Sequence, residues 1–221
     1  MSVASVRILL ADDHEVVRRG VRAFLERHGY NVIGEARDGR ETLEMVQTIK
    51  PDLVILDITM PLLNGIDVAS RLRSAAPDVQ VLILSMHNSE GTVHAAVKAG
   101  AQGYVLKSDA ATQLLAAVEA VSRHRPYFTK GVTPRLAGAP LVSEDLRQPP
   151  ERHGAPHDLT PREREIFQLL AEGKRNKEVA QILEVSVKTV ETHRSNLMRK
   201  LGLHGLSDLI HYAVRNHLVE P

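Results

Sequence analysis

From residue 6 to about 125, five short apolar runs, VRILLA, NVIGEA, DLVILD, VQVLILS and GYVLK, alternate with segments of ten or more residues at helical spacing. This alternation narrows the fold more than anything else in the chain. Strands joined by crossovers long enough to be helices come back parallel, and a parallel sheet needs helices on both faces. Runs that are apolar on every side chain, residues 53–56 and 81–84, belong at the centre of the sheet. The expectation is a doubly wound five-stranded parallel α/β domain. Gly29, Gly100 and Gly103 are expected at helix ends or turns.

The polar residues that close these runs are not scattered. Asp12 and Asp13 follow the first, Asp57 the third and Lys107 the fifth. In an open parallel sheet the carboxyl ends of the strands share one edge, and ligands bind where the strand order reverses. Three carboxylates brought together there raise one another's pKa unless a cation neutralises them. Mg²⁺ suits that place: it takes oxygen ligands from one or two carboxylates with water and phosphate oxygens. A third carboxylate is then left as a nucleophile, and the chemistry indicated is phosphoryl transfer. Taken singly, each residue has a plainer role. An aspartate after a strand is commonly a cap or turn residue and Lys107 a solvated strand end, while Ser85, which closes the fourth run, is commonly a loop hydroxyl and Tyr104, within the fifth, half-buried packing. Their convergence on one edge carries the reading.

Beyond residue 125 the composition changes. Residues 126–161 contain seven of the eleven prolines with no sustained period, which indicates a linker with a helical turn near 141–147. From Leu159 the chain turns to short helices. Thr160-Pro161-Arg162-Glu163 has the form of a capping box with proline at the first helical position, opening a helix to about Gly173. A second helix is expected over 176–183, a third capped by Ser186 to about Leu201, and a fourth capped by Ser207 to about His217. Only EVS separates the second from the third, as in a helix-turn-helix. The domain boundaries read as 1–125, a linker over 126–157, and 158–221.

Whole-chain composition excludes rather than selects. With no cysteine, disulfides and thiolate metal sites are out. No stretch reaches the roughly 18 apolar residues of a membrane span, and MSVASVRILLADD meets acidic residues too early for a secretory signal, so a cytoplasmic address is expected. The net charge of +1 hides an uneven distribution: residues 174–200 hold seven Lys or Arg against three Glu, a local +4. Such a local excess attracts a phosphate backbone.

The first 125 residues resemble the receiver domain of bacterial two-component response regulators, a flavodoxin-like fold. The match runs through Asp12-Asp13, Asp57 in LDITMP, Ser85, Tyr104 and Lys107. The resemblance implies that Asp57 is the phospho-acceptor, taking its phosphoryl group from a sensor histidine kinase. It also implies that Asp12, Asp13, Asp57 and the main-chain carbonyl of Thr59 hold Mg²⁺ and that Lys107 neutralises the incoming group. Ser85 and Tyr104 would form the switch, Ser85 drawing its loop inward on modification and Tyr104 rotating into the space vacated. One position departs from the pattern. Ser108 follows the lysine where many receivers carry a proline and a cis peptide, and a non-proline cis bond costs about 2.5–4 kcal/mol.

The last sixty residues or so, LTPREREIFQLLAEGKRNKEVAQILEVSVKTVETHRSNLMRKLGL and onward, resemble the LuxR-type helix-turn-helix of FixJ/NarL-class regulators. On the third helix Val190, Leu197 and Leu201 should face the core, with Lys188, Glu191, Thr192, Ser195 and Arg199 opposite. The resemblance puts Glu191, Thr192 and Ser195 at base edges, where Glu accepts from cytosine N4 and Thr touches a thymine methyl. Lys188, Thr189, Arg194 and Lys200 are the phosphate contacts. The apolar stripe Leu209, Ile210, Ala213 and Val214 either pairs two subunits or closes the small domain's own core. His87 and His94 have no evident partner.

A phosphorylation-controlled bacterial transcription regulator is therefore expected, not an enzyme. Its expected partners are a sensor kinase, double-stranded promoter DNA and a second copy when phosphorylated, and the resemblance allows RNA polymerase as a further one. Two alternatives remain open: a constitutive DNA-binding regulator whose receiver takes no phosphate, and a Mg²⁺-dependent phosphatase using the same aspartate.

Overall fold

The structure is a computed structural model that describes residues 6–129 and 159–215. The chain divides into two compact units, Met1–Pro140 and Leu141–Pro221. The predicted helical turn at 141–147 and most of the predicted linker lie outside the described residues, as does the end of the last helix beyond Arg215.

In the first unit the strands are β1 (Arg7–Ala11), β2 (Asn31–Ala36), β3 (Leu53–Leu56), β4 (Gln80–Ser85), β5 (Gly103–Leu106) and β6 (Tyr127–Phe128). Between them run helices α1 (Glu15–Arg27), α2 (Gly39–Ile49), α3 (Gly65–Ala75), α4 (Glu90–Ala99) and α5 (Ala110–Ser122), with a 3-10 turn at Lys107–Asp109. All pairings are parallel, in the order β2-β1-β3-β4-β5-β6. The order reverses at β1, whose successors lie on opposite sides of it, so a crevice opens between the carboxyl ends of β1 and β3.

Period-two alternation sorts the strand side chains into two cores. Leu9, Val54, Leu56, Val81, Ile83 and Tyr104 face one side with Val46 of α2, Val68 and Leu72 of α3 and Val93 of α4. Ile8, Leu10, Leu53, Ile55, Leu82 and Val105 face the other with Leu25 of α1 and Leu114, Val118 and Val121 of α5. Since β3 and β4 are apolar toward both cores, they are buried along their whole length. Helix starts are capped as side-chain chemistry dictates: Asp38 accepts from Glu41 N–H, Asn64 from Asp67 N–H and Ser89 from Thr92 N–H.

The sheet has a sixth strand where the sequence predicts five and a linker from residue 126. Tyr127 and Phe128 pair with Gly103 and Tyr104, Thr129 N–H donates to Tyr104 O (3.2 Å), and the Tyr127 hydroxyl bonds to Gln113. Two residues carry no readable period, so only their partners reveal the strand. Gly103 likewise differs from expectation: it opens β5 instead of making a turn. A Cβ there would lie 2.6 Å from Leu82 Cδ1 and 2.8 Å from Val121 Cγ2, so close packing selects the glycine.

The second unit is helical, with α6 (Pro161–Ala171), α7 (Asn176–Ile182), α8 (Val187–Leu201) and α9 (Leu206–Arg215). The capping box forms as predicted: Thr160 Oγ1 accepts from Glu163 N–H (3.2 Å) and Glu163 Oε2 accepts from Thr160 N–H (2.8 Å). Gly202 ends α8 in the left-handed region (φ 65). Ser207 does not cap α9, which begins one residue earlier. On α9, Leu209 and Ala213 are fully buried, Ile210 and Val214 are half-buried, and Tyr212 meets Phe167 of α6 edge to face at 5.9 Å. Most of that stripe therefore closes the domain's own core. No helix among the described residues is long and apolar enough to cross a membrane.

Candidate functional site

The backbone places the acidic residues before their side chains do anything. Asp57 N–H donates to Ala11 O (2.8 Å) and Asp12 N–H to Ala36 O (3.1 Å), so the strand ladder carries both residues to the crevice at the carboxyl edge. Asp12 and Asp57 are almost wholly buried, at 6% and 4% exposure. Lys107, just past β5, reaches between them: its Nζ lies 2.7 Å from Asp12 Oδ2 and donates to Asp57 Oδ2 at 2.8 Å. The remaining Asp57 oxygen, Oδ1, accepts from Ile58 N–H at 2.8 Å. Asp12 Oδ1 accepts from His14 N–H at 2.8 Å. No peptide among the described residues is cis.

Burial dominates the electrostatics. It pushes the Asp57 carboxyl up to about 6; Lys107 opposes the rise, Asp12 adds to it, and the Ile58 N–H opposes it again. For Lys107, burial works against the charge, but Asp57 and Asp12 outweigh it and hold the ammonium above its ordinary value. The site thus contains one fixed cation and more carboxylate than that cation can neutralise. Asp13 is the third carboxylate, and its Oδ1 is buried without accepting a hydrogen bond. Carboxylate oxygens of Asp12, Asp13 and Asp57 and a ring nitrogen of His14 lie within 4.8 Å of one another. An oxygen-rich cluster whose carboxylates outnumber its one fixed cation fits a hard divalent cation such as Mg²⁺.

The predicted switch residues surround this pocket. Ser85 is fully buried at the end of β4, and its Oγ accepts from His87 N–H (3.2 Å). Tyr104 is fully buried, its hydroxyl donating to His87 O at 2.5 Å. Burial raises its pKa, keeping the phenol protonated. The ring therefore already occupies the interior without any modification of Asp57. His87, which has no evident partner in the sequence, joins both sides of the crevice, with its Nε2 3.0 Å from Thr59 Oγ1. Its position two residues after Ser85, at the end of a strand that reaches the site, was the available signal.

In the second unit α8 divides as its period predicts. Val190, Leu197 and Leu201 are buried, while Lys188, Glu191, Thr192, Ser195 and Arg199 are exposed on the opposite side. Not every predicted DNA contact is a free group. Thr189 Oγ1 lies 2.8 Å from Ser186 Oγ, Thr192 Oγ1 donates to Lys188 O (2.9 Å), and Arg194 Nη1 donates to Asn176 Oδ1 (3.3 Å). Lys200 Nζ sits 2.6 Å from Glu163 Oε2, the carboxylate of the capping box. Burial alone would raise the Glu163 pKa, but Lys200 and the Thr160 N–H and hydroxyl outweigh it and hold it below the usual range.

Comparison with known families divides the chain in the same way. Residues 8–119 match the family model of the response regulator receiver domain, and residues 157–213 match that of the bacterial regulatory proteins of the luxR family. Among curated relatives, the transcriptional regulatory protein MctR of Rhizobium johnstonii is 38% identical over 97% of this chain and 95% of its own. The transcriptional regulatory protein LiaR of Bacillus subtilis is 37% identical over 97% and 99%. Among solved structures, the RcsB response regulator of Salmonella typhimurium matches with a TM-score of 0.65 at 25% identity, over 98% of this chain and 100% of that one. A structure of two RcsB dimers bound to two parallel DNAs matches with a TM-score of 0.57 at 26% identity, over 94% and 97%.

Proposed function

This chain belongs to the FixJ/NarL-type response regulators, phosphorylation-controlled transcription regulators that join a receiver domain to a LuxR-type DNA-binding domain, and from that premise we propose that Asp57 is its phospho-acceptor. The supporting observation is the Asp57 carboxylate at the end of β3, with Lys107 bridging it to Asp12. A carboxylate oxygen of Asp57 attacks the phosphorus of a phosphohistidine on a sensor kinase. The new O–P bond makes an acyl phosphate, and the P–N bond breaks with its electron pair returning to the imidazole. Little covalent assistance is needed; positioning and charge neutralisation carry the step. Lys107 supplies a fixed positive charge within reach of the transferred group. Asp12, Asp13, Asp57 and the Thr59 carbonyl would hold Mg²⁺, which when bound supplies the remaining neutralisation. With kinase and DNA as partners, the cytoplasm is the working compartment.

Ser85 then turns its hydroxyl to a phosphoryl oxygen, giving up the His87 amide and drawing its loop inward. The bias favours dimers, which seat two DNA-binding units on half-sites about one helical turn apart. On DNA, Glu191, Thr192 and Ser195 read base edges, and Lys188, Thr189 and Arg194 contact phosphates. Lys200 acts chiefly in the fold, through Glu163. RNA polymerase would be engaged by the bound dimer.

The deciding experiment measures affinity of the full chain for DNA fragments selected from a random pool, before and after phosphorylation with Mg²⁺ and a small acyl-phosphate donor. Phosphorylation should tighten binding by about 5- to 150-fold, the usual range of allosteric coupling. Equal affinity with a confirmed adduct would leave a constitutive DNA reader.

The two lysines of α8 give a further prediction. Lys188→Ala should weaken binding across all sequences and lower the salt slope by about 1, with the melting temperature unchanged. Lys200→Ala removes the cation from a buried carboxylate and should destabilise the helical unit by about 1 kcal/mol. Calorimetry and salt titrations of both variants check this; a Lys200→Ala protein of unaltered stability and reduced salt slope would return Lys200 to the DNA contacts.

A further inference from the structure

Past α5 the chain does not leave the receiver. His124 takes a left-handed conformation (φ 56), Arg125 N–H donates to Ala120 O (2.9 Å), and the backbone returns to the sheet as β6. Two main-chain bonds fasten it: Tyr127 N–H donates to Gln102 O (3.0 Å) and Thr129 N–H to Tyr104 O (3.2 Å). Its side chains straddle the sheet. Phe128 packs against the core that holds Tyr104, Tyr127 packs against the opposite core, and the Tyr127 hydroxyl donates to Gln113 of α5. Thr129, from which the chain continues toward the second unit, is buried at 3% exposure. Among the described residues β6 pairs with β5 alone, and β5 is the strand that carries Tyr104 and runs into Lys107, the residue bonded to Asp57. A two-residue edge strand belongs to the low end of local stability, where a modest pull opens it.

Building on the reading of Asp57 as the phospho-acceptor, we propose that β6 is a strap that passes the state of β5 to the chain leading to the DNA-binding unit. In the unmodified protein the strap is fastened and the departing chain is held to the sheet edge at Thr129. When Lys107 follows the phosphoryl group, the end of β5 moves with it and the Thr129 bond to Tyr104 O is the one that gives. Releasing residues 127–129 lengthens the tether by about 10 Å, which widens the reach of the DNA-binding unit. The bistable element is therefore a length of main chain, and both the site and the linker bias it.

The test uses the full chain with Thr129→Pro and Thr129→Val. Proline deletes the N–H while favouring the extended conformation that Phe128 already has; valine keeps the N–H at similar volume. Phosphoryl uptake, read by intact mass after a small acyl-phosphate donor and Mg²⁺, should be the same in all three proteins. Thr129→Pro should bind selected DNA unphosphorylated nearly as tightly as the phosphorylated wild type, so that the gain of about 5- to 150-fold collapses, whereas Thr129→Val keeps it. Amide exchange of the wild type supplies a reading that needs no variant: protection at Thr129 should fall by about tenfold or more on phosphorylation. A Thr129→Pro protein that keeps the full gain, or equal protection of the wild-type amide in both states, overturns the strap and leaves phosphorylation control standing. Loss of phosphoryl uptake in Thr129→Pro overturns it as well, by placing β6 in the support of the site. A wild type that takes the adduct without any gain in DNA affinity overturns phosphorylation control and the strap together.

Discussion

Asp57→Asn should take up no phosphoryl group from a small acyl-phosphate donor with Mg²⁺, whereas the wild type gains a single adduct by intact mass. Asparagine keeps the shape and the Ile58 hydrogen bond but has no anionic oxygen to attack phosphorus, and Asp12, the other buried carboxylate that pairs with Lys107, is not bonded to the Ile58 N–H. An adduct of equal yield on the variant would displace Asp57 from the proposed role. The same variant carries a stability signature that does not depend on phosphate. The folded chain holds the Asp57 proton up to about pH 6, while an unfolded chain releases it near the ordinary value of 3.8. Across that window the folded state binds more protons, so stability falls as pH rises through it. The ionised carboxylate is thus a cost present in full above about pH 6 and absent below about pH 4. Asp57→Asn removes it, and in EDTA the receiver should gain about 3 kcal/mol at pH 7.5, shrinking toward zero near pH 4. Melting curves of both proteins from pH 4 to 8 decide the sign. In the wild type, Mg²⁺ at a hundred times its dissociation constant should restore about 2.7 kcal/mol.

Gly65→Ala should be nearly as damaging although residue 65 carries no chemistry. A Cβ there would lie 2.0 Å from Asp57 O and 2.9 Å from Asp57 C, backbone atoms of the strand end that presents the nucleophile. Gly65 N–H meanwhile donates to Ile58 O at 2.8 Å, holding the start of α3 against the loop after β3. The clash cannot be relieved by turning a side chain; either the helix or Asp57 must move. The expected cost is about 3 kcal/mol of stability. Phosphoryl uptake should slow by about a hundredfold, because a misplacement on the order of 1 Å loses a near-attack geometry. Gly91→Ala in α4, where nothing lies within 4 Å of the added Cβ, is the control and should be neutral or stabilising. Uptake at the wild-type rate in a folded Gly65→Ala protein would show that Asp57 tolerates displacement.

What could be read from the sequence depended on range. The five main strands follow from period and punctuation, and the convergence of Asp12, Asp57 and Lys107 follows from topology, since parallel strands deliver their carboxyl ends to one edge. The Thr160 capping box was legible for the same reason: all its partners lie within four residues. Features decided by distant partners were not. His87 meets Thr59 across 28 positions and Lys200 meets Glu163 across 37, so a lysine that reads as a phosphate contact is bound into the fold. Gly103 reads as a turn because nothing nearby in the chain announces Leu82 and Val121. Ser207 looks like a cap, but the helix turns two residues sooner, around Gly205 O, which accepts from Leu209 N–H.

The buried Tyr104 ring bears on how loudly such a protein speaks when no signal has arrived. Its hydroxyl is satisfied by His87 O, and the ring sits among aliphatic neighbours in the unmodified chain. Phosphorylation therefore need not supply the free energy of burying an aromatic ring, on the order of 2 kcal/mol. The effort left to it is local, chiefly the turning of Ser85. With the ring already placed, the unphosphorylated chain should keep measurable affinity for DNA, and phosphorylation should raise that affinity from a floor above zero.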